Sequence, residues 1–131
     1  MADSVDQIIY SYLTSDSTFM ADFNSVHWVE APEGTTYPYI VYWLVTDTGE
    51  KTYLGKLRQG EAAIQFDLWD DNRIRGARLR GKLRDKVDDL NDTLSGYALR
   101  TIGVTEQTLQ RASGTDPYHF VVDGIIQWQE N

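Results

Sequence analysis

The chain contains no cysteine, and this absence removes several kinds of chemistry at once. Disulfides, thiolate nucleophiles and thiolate metal sites are all excluded. Positive charge is also scarce, because 12 Lys and Arg stand against 20 Asp and Glu and leave a formal net charge of −8. Non-specific nucleic-acid affinity comes from neutralising phosphates with basic side chains, so this balance argues against a general nucleic-acid binder.

Long apolar runs are missing as well. The longest nearly apolar run, Tyr37 to Val45, contains Pro38 and is much shorter than the roughly 20 residues that a membrane-spanning helix needs. The chain starts with acidic residues where a signal peptide has basic ones, which predicts a soluble, cytoplasmic protein without a membrane partner. With 131 residues, of which 41% are hydrophobic, the chain has the size of one domain with a substantial core.

The sequence offers weak candidates for catalytic or cofactor chemistry. Residues Gly49 to Lys56 resemble a phosphate-binding loop, but they have one residue too many between the glycines, and Leu57 stands where Ser or Thr would bind magnesium. His27 and His119 are far apart and belong to no metal-binding pattern. Asp67 is interpreted as a solvent-side strand residue. We therefore predict no enzyme activity, no metal and no cofactor.

The spacing of apolar residues predicts an α+β fold in a single domain spanning residues 1–131. Residues 5–13 have the stripe of a helix, with a short helical turn after it near Phe19. The predicted strands are Val26–Val29, Tyr39–Thr46, Ala62–Trp69, Leu99–Leu109 and Tyr118–Trp128. With a second long helix after the third strand, the order is α-β-β-β-α-β-β. We expect a mainly antiparallel sheet with helices packed on one side.

The second long helix is the most basic part of the chain. Asp70, Asp71 and Asn72 are predicted to cap it, and Ser95-Gly96 to end it. Its predicted buried stripe is Gly76, Leu79, Leu83, Val87, Leu90 and Leu94. Its seven cations, along both borders of that stripe, are Arg73, Arg75, Arg78, Arg80, Lys82, Arg84 and Lys86. Either their long stems cover the core and their charges are solvated, or they meet the acidic surface of a neighbouring subunit.

A polar segment, Asp47 to Gly60, separates the second and third predicted strands. It contains three glycines and charges of both signs, which predicts a long hairpin loop or a projecting arm.

Several segments together carry a resemblance to a known family. They are the N-terminal helix, the strand start Tyr37–Tyr42, the strand Ile64–Trp69, the helix just after it and the closing strand Tyr118–Trp128. In their order and spacing, over nearly the whole chain, they resemble the tail-completion, or tail-terminator, proteins of long-tailed phages. The resemblance implies a hexameric ring in the virion tail that caps the tail tube, stops its polymerisation and docks to the connector beneath the head.

The resemblance also implies partners and contact residues. The partners are further copies of the chain, the tail tube protein and the head–tail connector protein, while DNA passes through without specific binding. The loop between the second and third strands contacts the tube in that family, which points here to Lys51, Tyr53, Lys56 and Arg58. A ring needs contacts between subunits, and the charge layout of the helix suggests where they lie. The candidates for these interfaces are Trp69, Arg73, Arg75, Arg78, Arg80, Lys82 and Arg84.

Three other functions stay open at this point. A head-side neck or joining protein would share the same size and acidity. A nucleic-acid-binding domain would use Arg73 to Lys86 for phosphate contacts. A small-ligand enzyme or binding domain would need a pocket lined by surplus aromatic residues such as Trp43 and Trp69.

Overall fold

The computed structural model of the chain describes residues 5–51, 58–94, 96–111 and 113–130. It has a mixed α+β architecture that is mostly sheet, as the sequence predicts. The elements in chain order are α1 (Val5–Thr14), α2 (Ser17–Met20), β1 (Ser25–Trp28), β2 (Tyr39–Lys51), β3 (Arg58–Asp70), α3 (Arg73–Asp88), β4 (Asn91–Leu94), β5 (Tyr97–Leu109) and β6 (Tyr118–Glu130). None of these helices is long and apolar enough to cross a membrane.

The strands form one sheet in the order β1-β2-β3-β6-β5-β4. Four neighbouring pairs are antiparallel, but β1 runs parallel to β2. The prediction of a mainly antiparallel sheet is therefore confirmed only in part. The predicted order of elements also omits β4, which follows α3, and the short helical turn predicted near Phe19 is α2, which the order does not count.

The predicted second long helix is too long at its C-terminal end. Helix α3 stops at Asp88, and the residues after Leu90 are Asn-Asp-Thr, which have poor helix propensity. Thr101 of β5 stabilises the exit: its backbone N–H donates to the carbonyl of Leu90 at 3.0 Å, and its hydroxyl donates to the carbonyl of Val87 at 2.6 Å. Leu90 keeps its predicted burial, whereas Leu94 is only half-buried in β4.

The main core lies between the helices and one face of the sheet, here called the helix-covered face. Helix α3 packs so closely on it that a Cβ on Gly76 would lie 2.3 Å from the ring of Phe120. Helix α1 lies on the same face, because the hydroxyl of Tyr42 donates to the carbonyl of Asp6 at 2.8 Å. The hydroxyl of Tyr12 in α1 also donates to a carbonyl of α3 at 2.8 Å. These contacts join both long helices to one layer.

The β2–β3 hairpin has longer strands than predicted. Its ladder continues to the pair Lys51 and Arg58, so both ends of the predicted loop Asp47–Gly60 are strand. Residues 52–57 lie outside the described part of the chain. Near the loop end of the ladder, a Cβ on Gly60 would lie 1.8 Å from the carbonyl oxygen of Thr48, so only glycine allows this close approach of the two backbones.

Candidate interaction surfaces

The first turn of α3 is built around a buried carboxylate. Of the three predicted caps only Asn72 caps the helix, its side chain accepting from the backbone N–H of Arg75 at 3.0 Å. Asp70 is 0% exposed and accepts two bonds from the Arg75 guanidinium, at 2.9 Å from Nε and 2.5 Å from Nη2. Burial by itself raises the pKa of Asp70, but the bonds from Arg75 and from the backbone of Asn72 outweigh it and hold that pKa below its usual range.

One border of α3 is paired with β5. Arg80 Nε and Arg84 Nε lie 3.8 Å and 3.9 Å from the same carboxylate oxygen of Glu106. Arg80 also donates to the hydroxyl of Thr108, and Arg84 pairs with Asp85 at 2.9 Å. These two cations therefore hold the helix against the sheet of their own chain.

The other border of α3 is paired with the N-terminal helices. Lys82 Nζ lies 2.5 Å from a carboxylate oxygen of Asp22, and Lys86 Nζ lies 2.8 Å from one of Asp16. The lysine hydrogen bonds lower the pKa of both aspartates. Lys86 also sits 4.0 Å from the ring centroid of Tyr12, a cation–π distance. These pairs fix α3 relative to α1 and α2.

Two of the seven α3 cations remain outside this network. None of the hydrogen bonds or ion pairs among the described residues involves Arg73 or Arg78, although the charge of Arg78 helps to lower the pKa of Asp22. Most cations of α3 are thus neither simply solvated nor free for a neighbour. An interface role for the predicted set stays a prediction, and Arg73 and Arg78 are its members without an ion pair among the described residues.

The face of the sheet opposite the helices, here called the open face, carries a polar cluster at its centre. Trp69 and His119 face each other across β3 and β6 and stack with ring centroids 3.9 Å apart. His119 Nε2 lies 3.0 Å from Asp67 Oδ1, which also accepts from Gln65 at 3.0 Å. Asp67 is only 4% exposed, so the prediction of a solvent-side residue is wrong.

Burial and the charge of Asp67 also raise the pKa of Asp123 on the same face. No described hydroxyl hydrogen bonds to His119, so the His119–Asp67 pair has no nucleophile to activate in this part of the chain. The described residues also contain no group of three His, Cys, Asp or Glu that could hold a metal. Trp43 is on the same face, and its backbone partner in β3 is Gln65. Trp69 pairs with Tyr39, which is in the same strand as Trp43.

A shallow apolar hollow lies where α1 meets β1. Its volume is about 360 Å³, and its lining is Gln7, Tyr10, Ser11, Trp28 and Tyr42. Tyr10 and Trp28 are 44% and 53% exposed, which is unusual for such large side chains. Sequence reasoning missed this surface, although Tyr10 gives a signal, since it is an aromatic residue outside the apolar stripe of α1.

The predicted tube-contacting residues lie at or beyond the end of the β2–β3 hairpin. Lys51 and Arg58 are the last backbone pair of the ladder. Tyr53 and Lys56 lie outside the described residues, so their contacts stay a prediction.

The family model described as "Tail completion protein gp17" matches residues 7–126. The chain belongs to this family of phage tail-completion proteins and is a structural component of the virion tail, as the sequence resemblance predicts.

A solved structure has the same fold. A chain in "Virion of native gene transfer agent (GTA) particle" aligns with a TM-score of 0.63 at 12% sequence identity. The alignment covers 97% of this chain and 94% of that one. No curated protein sequence matches the chain.

Proposed function

We propose that the protein forms a ring, with six copies as the expected number, that caps the tail tube and joins the tail to the head connector. The observation that carries the proposal is the match of the tail-completion family over residues 7–126. The charge supports it, since a ring of chains with a net charge of −8 each would let DNA pass without binding it.

The tube contact is assigned to the β2–β3 hairpin. The hairpin holds Lys51 and Arg58 opposite each other at the end of its ladder, with Tyr53 and Lys56 in the segment between them. Residues 51–58 contain three cations, Lys51, Lys56 and Arg58, in an otherwise acidic chain, and such a local charge suits an acidic surface on a partner. The head connector is then the partner at the opposite end of the ring.

Pairing within the chain argues against nucleic-acid binding by α3. Five of its seven cations form ion pairs with carboxylates of the same chain. Few therefore remain to replace the counterions of a phosphate backbone. A head-side joining protein remains the second candidate, because it would use the same ring and the same acidic lumen.

Electron micrographs of particles made without this gene test the proposal. Overlong tails, or finished tails that lack heads, are expected for a protein that terminates and joins the tail. Intact tails beside heads that leak DNA would assign the protein to the head side instead. Native mass spectrometry of the purified chain, alone and with tube protein, would give the number of copies in the ring.

A further inference from the structure

The start of α3 presents side chains that the fold does not use. Ile74 is 76% exposed, the highest value among the large apolar residues described. Arg73 precedes it and Arg78 follows one turn later, where residues i and i+4 are neighbours on a helix surface. Both arginines are exposed and outside the ion-pair network of the described residues. We call Arg73, Ile74 and Arg78 the basic patch.

The hollow between α1 and β1 has the opposite character. Tyr10 and Trp28 offer an apolar centre. The segment after β1, outside the lining of the hollow, carries two exposed carboxylates: Glu30, whose N–H donates to the carbonyl of Trp28 at 2.9 Å, and Glu33. No ion pair in the described part of the chain involves either glutamate. We call Tyr10, Trp28, Glu30 and Glu33 the acidic patch.

The backbone beside Trp28 is strained in a way that supports a docking role. Val29 has φ of 74°, a conformation that β-branched residues rarely adopt, and its side chain is exposed. Its N–H donates to the carbonyl of Tyr42 at 2.8 Å, which fixes the bend at the end of β1. Local strain of this kind concentrates where a surface needs a fixed shape for a partner.

We propose that the basic patch of one copy docks on the acidic patch of the next copy, with Ile74 entering the hollow beside Trp28. This inference rests on the proposed ring. The two patches are complementary. The basic patch has an exposed aliphatic side chain with cations, and the acidic patch has an apolar hollow with carboxylates beside it. Trp and Tyr are enriched among residues that dominate binding energy, and rim charges set specificity and orientation.

The occupant is another copy because the complement of each patch is on the same chain. Either patch placed against itself would oppose like charges, so a two-fold symmetric contact is disfavoured. A contact between two different patches is head-to-tail, and such contacts close into rings. The arrangement therefore supplies the type of interface that the proposed function needs.

Charge reversal of each patch gives a direct test. One variant carries Arg73→Glu and Arg78→Glu, and a second carries Glu30→Lys and Glu33→Lys. All four side chains are exposed, so both variants are expected to fold with unchanged circular dichroism. Light scattering after size exclusion then measures assembly of each variant alone and of an equal mixture, with tube protein added wherever the natural chain needs it.

Each variant alone should need at least about tenfold more protein than the natural chain for half-assembly, because two rim contacts become repulsive. The mixture should recover assembly, since an alternating ring joins every mutated patch to its mutated complement and every natural patch to its natural one. As a control, Asp88→Lys and Asp89→Lys are added to the first variant. They restore the net charge at the exposed far end of α3 and should not restore assembly.

The outcomes separate the docking assignment from the proposed function. Natural-like assembly of either variant alone, or no recovery in the mixture, overturns the assignment while the ring stands. A natural chain that stays monomeric even with tube protein overturns both.

The absence of cysteine allows a second measurement. Ile74→Cys and Tyr10→Cys in one chain should give a ladder of disulfide-linked copies, whereas Ile74→Cys with Leu109→Cys should not. A ladder from the control pair alone would also overturn the assignment.

Discussion

Two glycines of α3 provide a matched test of how the helix packs. A Cβ on Gly76 would lie 2.3 Å from Cε2 and 2.9 Å from Cζ of Phe120, a ring that is buried in the core. A Cβ on Gly81, in the same helix, would have no atom within 4 Å. The same substitution by alanine should therefore have opposite effects at the two positions.

The magnitudes follow from two competing effects. Alanine in place of glycine inside a helix gains about 0.5–1 kcal/mol, which is the whole expected effect at Gly81. At Gly76 overpacking costs about 1–3 kcal/mol, and a contact of this closeness belongs at the upper end. The net expectation for Gly76→Ala is a loss of about 2–2.5 kcal/mol in the free energy of unfolding.

Thermal unfolding followed by circular dichroism would measure both variants. A change of 1 kcal/mol corresponds to roughly 3–5 °C in Tm for a domain of this size. Gly81→Ala should raise Tm by about 2–5 °C, and Gly76→Ala should lower it by about 6–12 °C. Scans at several protein concentrations separate self-association from intrinsic stability. A Tm of Gly76→Ala at or above that of the natural chain would refute the packing of α3 on Phe120.

Three further perturbations follow from contacts described above. Arg75→Met should lower the free energy of unfolding by about 2–3 kcal/mol, because it leaves Asp70 buried and unpaired, and adding Asp70→Asn should recover part of the loss in a double-mutant cycle measured with urea. Asp123→Asn should stabilise the chain at neutral pH. The pKa of Asp123 is raised in the folded state, so its ionisation destabilises the native state as pH rises. The gain from Asp123→Asn should therefore disappear below about pH 4, and an equal gain at every pH would contradict the reasoning. Gly60→Ala should lower Tm by disrupting the hairpin against the Thr48 carbonyl, whereas Gly114→Ala, which has open space, should leave it nearly unchanged.

Local patterns in the sequence predict the main elements well where one face of an element is buried. The alternation in Ala62–Trp69 and the stripe of α1 correspond to β3 and α1. The end of the second long helix is predicted wrongly because Leu90 and Leu94 continue its spacing. Besides the poor helix propensity of Asn91-Asp92-Thr93, two hydrogen bonds from Thr101 stabilise the end of α3, and no local pattern reveals a contact made by a later strand.

The surfaces depend even more on contacts between distant parts of the chain. The cations of α3 are visible in the sequence, but of their partners Asp16 and Asp22 flank α2 and Glu106 is in β5. The burial of Asp67 follows from the neighbouring strand, which brings His119 beside it and the stacked Trp69. Composition and spacing can therefore give a charge inventory, while the distinction between paired and unused charges needs the fold.

Strand β3 has a mechanical consequence. It runs without interruption from Arg58 at the hairpin to Asp70, whose carboxylate grips Arg75 in the first turn of α3. At about 3.3 Å per residue the strand is roughly 40 Å long, and long strands pair with it on both sides. Because one stiff element joins the end of the hairpin to the first turn of α3, the proposed tube contact at the hairpin and the proposed subunit contact at Ile74 would be mechanically coupled.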